Sequence, residues 1–183
     1  MKKFEEKTIH SNRLYEGKVI NLKVDDVSLP NGHTSKRELV EHPGAVAIIA
    51  ITPDNKIILV EQYRKALERS LVEIPAGKLE PGEAPETTAM RELEEETGYT
   101  AEKLIKLQTF ATSPGFADEV VHLFVAEGLS KATNGAVLDD DEFVELMEVT
   151  LEEAERMVVE ERIYDAKTAF AVLWAKHRLS IEN

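Results

Sequence analysis

Residues Gly77–Tyr99 read GKLEPGEAPETTAMRELEEETGY, and this stretch sets the expectations for the rest of the chain. Pro81-Gly82 is a turn signal, and Pro85 suits the first turn of a helix, where a missing N–H costs nothing. The following residues as far as Glu96 include many good helix formers, and Gly98 stands where a glycine commonly ends a helix. The stretch therefore predicts a loop followed by a short helix.

The predicted helix carries an acidic face. Glu92, Glu95 and Glu96 are spaced i, i+3 and i+4, which places them on the same side of a helix. Three carboxylates on one side repel one another unless a cation lies among them, and such oxygen ligands suit Mg²⁺ or Mn²⁺. Arg91 can hydrogen-bond carboxylates such as Glu83 or Glu95 and so hold the cluster in shape. The alternative is a solvated acidic surface, which is the usual meaning of a glutamate-rich helix in an acidic protein.

The complete spacing is more specific than the acidic run. Gly77, five residues, Glu83, seven residues and then the run RELEEETG at 91–98 resembles the Nudix box. Seven fixed identities arise by chance on the order of 10⁻⁹ times per starting point at average residue usage. The position of Tyr99 is usually aliphatic in this motif; it is a packing position, so the chemistry is unaffected. The resemblance covers about residues 43–180 and implies an α/β/α sandwich with a mixed sheet.

The rest of the chain predicts strands mixed with two further helices. Strand patterns, alternating or continuously apolar, occur at residues 18–29, 36–41, 45–52, 56–62, 71–74, 104–110, 120–125 and 143–149. Helices are predicted at 151–161 and 165–178. The second helix offers five residues to the core: Ala169, Phe170, Val172, Leu173 and Trp174. This order of elements indicates an α/β sandwich. We expect the junction at 42–44 to divide a small N-terminal antiparallel β piece, residues 1–42, from a domain that resembles the Nudix hydrolases, residues 43–183.

Composition excludes several function classes. The 183 residues carry a formal net charge of −13, from 22 basic and 35 acidic residues. Such a surface repels nucleic acid and anionic membranes, so we expect neither as a partner. The absence of cysteine argues against disulfides and zinc–thiolate sites. The first residues do not resemble a signal peptide, and no apolar run approaches the roughly 20 residues that span a membrane. We therefore expect a cytoplasmic protein.

The resemblance also implies which residues hold the metal. Glu92 and Glu96 are the implied direct ligands, with Glu95 close by, and the carbonyl oxygen of Ala76 is a further one. These three glutamates count as catalytic because the ions they hold activate water and relieve the charge of a diphosphate.

A general base is expected outside the helix. Residues 138–143, LDDDEF, resemble the acidic loop that carries the catalytic glutamate in ADP-ribose pyrophosphatases, a branch of the Nudix family. Glu142 matches best, and the aspartates at 139–141 remain open as alternatives. A solvated acidic run is the competing interpretation.

Substrate contacts are implied by resemblance to the same branch. Ser113 and Gly115 flank Pro114, whose place fifteen residues beyond Tyr99 resembles a downstream proline signature; the alternative is an ordinary turn. Glu119 lies where that branch has an acid near the terminal ribose. The remaining candidates are Arg64 for a phosphate, and Arg37 and Glu41 for the adenine side; each is otherwise a surface residue.

These observations predict a Mg²⁺- or Mn²⁺-dependent hydrolase that cleaves ADP-ribose to AMP and ribose 5-phosphate. Other nucleotide sugars and nucleoside triphosphates are the nearest alternative substrates. A non-catalytic nucleotide-sugar sensor is a remote alternative, because such modules commonly lose box carboxylates and this chain keeps them. The N-terminal piece resembles one that pairs across a homodimer, so a homodimer is implied.

Overall fold

The computed structural model describes residues 3–133 and 143–182, with side chains as far as residue 178. The chain divides into two units. Unit 1 comprises Met1–Gly44 and Phe110–Val121, and unit 2 comprises Ala45–Thr109 and His122–Asn183. Unit 1 thus includes a segment from the middle of the chain. It differs from the predicted N-terminal piece, whose boundary at residue 42 stays a prediction.

Unit 1 contains a three-stranded antiparallel sheet in the order β1-β2-β3. Its strands are β1 (Lys7–Glu16), β2 (Asn21–Ser28) and β3 (Thr34–Glu41). The second and third match the predicted strands, and a turn around Gly32 joins them. Strand β1 was not predicted. Every residue in it is exposed, so its sequence KTIHSNRLYE lacks the alternation that burial of one face imposes.

The inserted segment of unit 1 is hydrogen-bonded to β3. The Val40 N–H donates to the Phe116 carbonyl at 2.8 Å, and the Asp118 N–H donates to the Val40 carbonyl at 3.2 Å. The His42 N–H donates to the Asp118 carboxylate at 2.8 Å. Backbone pairing therefore fixes residues 116–118 against the end of β3.

Apart from residues 110–111 and 120–121, which belong to unit 1, the other described strands and the three described helices lie in unit 2. The strands are β4 (Ala45–Ala50), β5 (Ile57–Arg64), β6 (Arg69–Glu73), β7 (Ala76–Lys78), β8 (Tyr99–Ala111), β9 (Val120–Lys131) and β10 (Val144–Val149). They form two sheets, in the orders β10-β5-β6 and β7-β4-β9-β8. The helices are α1 (Pro85–Thr97), α2 (Leu151–Val159) and α3 (Ala166–Glu182). The predicted α/β fold class, a sandwich with mixed sheet, is confirmed.

The core of unit 2 holds α1 against the longer sheet. Ala89 and Leu93 on α1 are fully buried and belong to one cluster with residues of β4 and β9, among them Ile48 and Phe124. Tyr99, at the start of β8, closes this cluster, so its predicted packing role is confirmed. Burial of Ala89 and Leu93 fixes the rotation of α1 and thereby decides where its glutamates lie.

The predicted core face of α3 is partly wrong. Phe170 and Leu173 are 41% and 67% exposed, and Trp174 is only half-buried. The buried positions include the smaller residues Thr168, Ala171, Val172 and Ala175. Apolar residues occur nearly all round this helix, so the sequence pattern did not define which face is buried. Small side chains on the buried face allow the helix to pack closely against the rest of unit 2.

Within the described part of the chain, no helix is both long enough and apolar enough to cross a membrane.

Candidate functional site

The site of unit 2 begins at the short strand β7, which leads into α1. Pro85 opens the helix, and Gly98 ends it in the left-handed conformation at φ 67°, with its N–H bonded to the Glu94 carbonyl at 2.9 Å. The predicted start and stop of the helix are therefore confirmed. The loop before it is held by Glu83, whose carboxylate accepts a hydrogen bond from the Thr88 hydroxyl at 2.8 Å.

Glu92 and Glu96 lie on the side of α1 that faces β7, and both are buried. The Ala76 N–H donates to Oε2 of Glu96 at 3.0 Å. The Glu92 carboxylate fills the space beside Gly77, where a Cβ atom would lie only 1.9 Å from Glu92 Cδ. A glycine at position 77 is therefore what lets this carboxylate approach the strand. The structure thus brings together Ala76, Glu92 and Glu96, three of the four predicted metal-binding residues.

Arg91 ties the carboxylates to one another. Its guanidinium donates to Glu95 at 2.7 Å, to Glu92 at 2.9 Å and to Glu83 at 3.3 Å. Burial alone would lower the pKa of Arg91, but the hydrogen bonds to Glu83 and Glu95 hold it well above its ordinary value. The same contact with Arg91, followed by Thr88, lowers the pKa of Glu83. These contacts are consistent with the predicted ordering role of Arg91. Glu92 is an additional partner beside the expected Glu83 and Glu95.

The donor chemistry of this face suits a divalent cation, because carboxylate oxygens from Glu92, Glu95 and Glu96 are hard ligands. Among the described residues, however, no three acidic, histidine or cysteine side chains are grouped closely enough to hold an ion. Glu92 and Glu95 accept hydrogen bonds from Arg91, and Glu96 accepts one from the Ala76 N–H. The residues therefore fit a cation by type, and their metal-binding role remains a prediction.

The predicted base, Glu142, and the aspartates at 139–141 lie outside the described residues.

Arg64, at the end of β5, is bound to a buried carboxylate. Its Nε donates to Oε1 of Glu73 at 2.6 Å, and its Nη2 donates to Oε2 at 2.8 Å. Lys167 of α3 also bonds to Glu73. Hydrogen bonding to Glu73 raises the pKa of Arg64, and Glu96 contributes to the same shift. Sequence reasoning missed Glu73 and Lys167. The available signal was a glutamate within the otherwise apolar run LVEI at 71–74, since a buried strand rarely admits an unpaired charge.

Unit 1 contains the other predicted substrate residues. Arg37 is bound along one edge of its guanidinium by the Glu6 carboxylate, at 2.6 and 2.8 Å, and its Nη1 donates to the Ser35 hydroxyl and the Lys36 carbonyl. Glu41 bonds to Lys23 at 2.6 Å and to Arg13 at 2.8 Å. The bond to Lys23 is the main cause of the lowered pKa of Glu41. Both predicted residues are therefore held in ion pairs on the surface of the sheet.

The predicted turn at 113–115 is ordered by its own backbone. The Ser113 carbonyl accepts the N–H groups of Phe116 and Ala117 at 3.1 and 2.9 Å, while Gly115 has open space around it. Glu119 accepts a hydrogen bond from Thr112 and lies 3.7 Å from His42 Nδ1.

A cleft of about 440 Å³ lies within unit 1, between the end of β3 and the inserted segment. Glu41 lines it together with Pro114 and Phe116, so the structure brings one predicted substrate residue beside the predicted turn. Arg37 does not line this cleft. Lys23 and Asp118 do, and sequence reasoning missed both because only the folded chain brings them to the same surface.

Two family models match this chain. The NUDIX domain model matches residues 41–169, and the model for the nucleoside diphosphate sugar hydrolase N-terminal domain matches residues 6–40. A protein of Bacillus methanolicus named methanol dehydrogenase activator is 66% identical, and an ADP-ribose pyrophosphatase of Bacillus subtilis strain 168 is 60% identical. Each match covers 100% of this chain and 98% of the relative.

A crystal structure of an ADP compounds hydrolase superposes with a TM-score of 0.84 at 21% identity, covering 98% of this chain and 96% of that one. At 21% identity this similarity shows a shared fold and nothing about function.

Proposed function

Because this chain belongs to the NUDIX domain family, we propose that it is a divalent-metal-dependent hydrolase that cleaves the diphosphate of ADP-ribose to AMP and ribose 5-phosphate. The observation that carries the proposal is the packing of Glu92 and Glu96 against Gly77 and Ala76, which brings two carboxylates of the sequence motif to the strand that precedes the helix. The 60% identical ADP-ribose pyrophosphatase supports the choice of substrate.

A divalent cation bound by Ala76, Glu92, Glu95 and Glu96 would offset the negative charge of the diphosphate and polarise its phosphoryl oxygens. We propose Mg²⁺ as this ion and Mn²⁺ as the alternative. Arg91 keeps the glutamates aligned through its three carboxylate contacts. Gly77 leaves the space that the Glu92 carboxylate needs.

The remaining roles follow the same chemistry. Glu142 accepts the proton of the attacking water, since this base must come from outside α1. Arg64 donates hydrogen bonds to a phosphate, and its ion pair with Glu73 keeps it charged and oriented. In unit 1, Arg37 and Glu41 serve the adenine side, Glu119 serves the terminal ribose, and Ser113 and Gly115 also bind the substrate. The cleft beside Glu41 supports a ligand on this surface.

The decisive experiment is product analysis with purified protein, ADP-ribose and saturating Mg²⁺. We expect AMP and ribose 5-phosphate from the wild type. Glu96→Gln should keep the fold, measured by circular dichroism, and lose turnover by about 10²-fold or more. Equal turnover in both proteins would refute the metal assignment. A panel with other ADP-sugars, GDP-mannose and nucleoside triphosphates separates the alternative substrates, because cleavage of a triphosphate to a monophosphate releases pyrophosphate.

The relative named methanol dehydrogenase activator favours a second candidate function, activation of a methanol dehydrogenase. Addition of this protein to purified Bacillus methanolicus methanol dehydrogenase tests it. Stimulation by the wild type and by Glu96→Gln alike would separate activation from hydrolysis, whereas stimulation by the wild type alone would tie the two together.

We also propose a homodimer formed through the N-terminal piece and a cytoplasmic location. The dimer is supported by β1, which leaves Ile9, Leu14 and Tyr15 more than half exposed. Light scattering coupled to gel filtration measures the mass directly. A monomer at micromolar concentration would contradict the dimer, and the variant Leu14→Glu should lower the dimer fraction.

A further inference from the structure

Glu73 is a buried acid whose place in the reaction is otherwise unassigned. It ends β6, follows the buried residues Leu71 and Val72, and is only 2% exposed. Burying an ionised carboxylate is costly unless cations and hydrogen bonds compensate for the lost water. A glutamate retained at such a position therefore needs partners, and the described residues supply them.

Two cations share this carboxylate. Arg64 binds both of its oxygens, at 2.6 and 2.8 Å, in the paired geometry that fixes the plane of a guanidinium. Lys167 bonds to Oε2 of the same group. Burial alone would raise the pKa of Glu73, but Arg64 and Lys167 together lower it, so the group is ionised at neutral pH.

The carboxylate is also fixed to the beginning of α3. Lys167 bonds a second time to Asp165, at 2.9 Å, so its ammonium is held between two acids. Thr168, the next residue, accepts the Ile74 N–H at 3.0 Å through its hydroxyl. Side chains from the first turn of α3 thus hold Glu73 and the residue that follows it. Glu73 is therefore attached to a rigid element and not to a loop.

Arg64 keeps part of its hydrogen-bonding capacity. A guanidinium has five N–H donors, and the contact with Glu73 uses one from Nε and one from Nη2. The Arg64 side chain is 41% exposed, so a ligand can reach the other edge. The influence of Glu96 on the pKa of Arg64 indicates that the guanidinium lies in the field of the candidate metal-binding face.

We infer that Glu73 is a positioning residue for the hydrolytic reaction, which holds the Arg64 guanidinium in one orientation so that its remaining N–H groups bind the phosphate oxygens of the substrate. This inference rests on the proposed hydrolysis of a nucleotide diphosphate. Glu73 itself does not touch the substrate. Lys167 supports it by fixing the second carboxylate oxygen.

The test compares steady-state kinetics of wild type, Glu73→Gln, Arg64→Ala and the double variant with ADP-ribose and saturating Mg²⁺. Glutamine keeps the shape of the side chain but removes the charge that aligns Arg64. We expect Glu73→Gln to raise KM by about fivefold or more and to change kcat by less than about twofold, as expected for lost substrate binding. In the Arg64→Ala background the same change should leave kcat/KM unaltered, because Glu73 then has no arginine to position.

A matched control is Glu61→Gln. Glu61 lies on the same strand as Arg64 and bonds to Arg162 at 2.8 Å, but both side chains are solvent-accessible. It should leave KM and kcat unchanged. Melting temperatures measured for all variants identify any loss of stability.

Each outcome decides the inference. Unchanged KM in a folded Glu73→Gln variant would overturn it, and so would additive effects in the double variant. A fall in kcat alone would overturn it as well, since it would place Glu73 with the metal-binding loop. If Glu73→Gln does not fold, Lys167→Met is measured in its place. We expect this variant to raise KM by about threefold. An unchanged KM would contradict the inference. If the wild type does not hydrolyse ADP-ribose, the proposed function itself is refuted. The wild type is therefore measured first.

Discussion

Replacing Gly77 by alanine tests whether the Glu92 carboxylate must stay where the structure has it. A Cβ atom on Gly77 would lie 1.9 Å from Cδ, 2.0 Å from Oε1 and 2.4 Å from Oε2 of Glu92. Carbon atoms in ordinary contact are separated by roughly 3.5 Å, so the carboxylate must move by about 1.5 Å. Gly77 does not adopt a positive φ, so this steric clash is the whole perturbation.

The expected magnitudes differ for stability and activity. The clash is with the far end of a flexible side chain, and alanine reduces the entropy of the unfolded chain, so the free energy of unfolding should change by less than about 1 kcal/mol. A misplacement of about 1 Å in a catalytic group costs about 10²-fold in rate. We therefore expect kcat for ADP-ribose to fall by about 10²-fold in a protein that remains folded.

The assay measures kcat and urea unfolding for wild type, Gly77→Ala and the control Gly32→Ala. Gly32 lies in the turn between β2 and β3 with φ 83° and open space around it, so alanine there strains the backbone without a clash. Gly32→Ala should show the opposite pattern, with a loss of about 1 kcal/mol of stability and normal kcat. Retention of kcat within about threefold in Gly77→Ala would refute the reasoning. So would a large further loss when Gly77→Ala is added to Glu92→Gln.

Two predictions concern other residues. Glu142→Gln should lower kcat by about 10²-fold or more while changing substrate affinity little, because a general base acts on the chemical step; a normal rate would move this role to the aspartates at 139–141. Tyr99→Phe should cost about 1 kcal/mol of unfolding free energy at pH 7, because it removes the hydroxyl that donates to Glu148 at 2.5 Å. That hydrogen bond, followed by the Lys131 charge, lowers the pKa of Glu148 below its ordinary value of 4.5. The contribution is therefore fully present above pH 4.5 and is lost as the pH falls through the folded-state pKa. Urea titrations at pH 7 and pH 3 should show a smaller difference between the two proteins at pH 3, and a constant difference would contradict this account.

Local sequence patterns predicted the strands and helices that are marked by hydrophobic periodicity or by proline and glycine at their ends. Pro85 and Gly98 marked the ends of α1 because helix termini have specific backbone requirements. Strand β4 was evident from a continuous apolar run, since a strand buried on both faces admits few polar side chains. Strand β1 escaped prediction because its side chains are exposed, and the rotation of α3 was wrong because apolar residues surround that helix.

The sequence by itself determined the acidic helix, its ends and the identity of the carboxylates, because spacing along a helix fixes which residues share a face. Only the tertiary structure decided that Gly77 makes room for Glu92, that Ala76 binds Glu96 and that Arg64 shares Glu73 with Lys167. These contacts join residues that lie between 9 and 94 positions apart in the chain. Such contacts depend on how strands and helices pack, and packing follows from the shape and burial of the whole core, which no single stretch of sequence specifies.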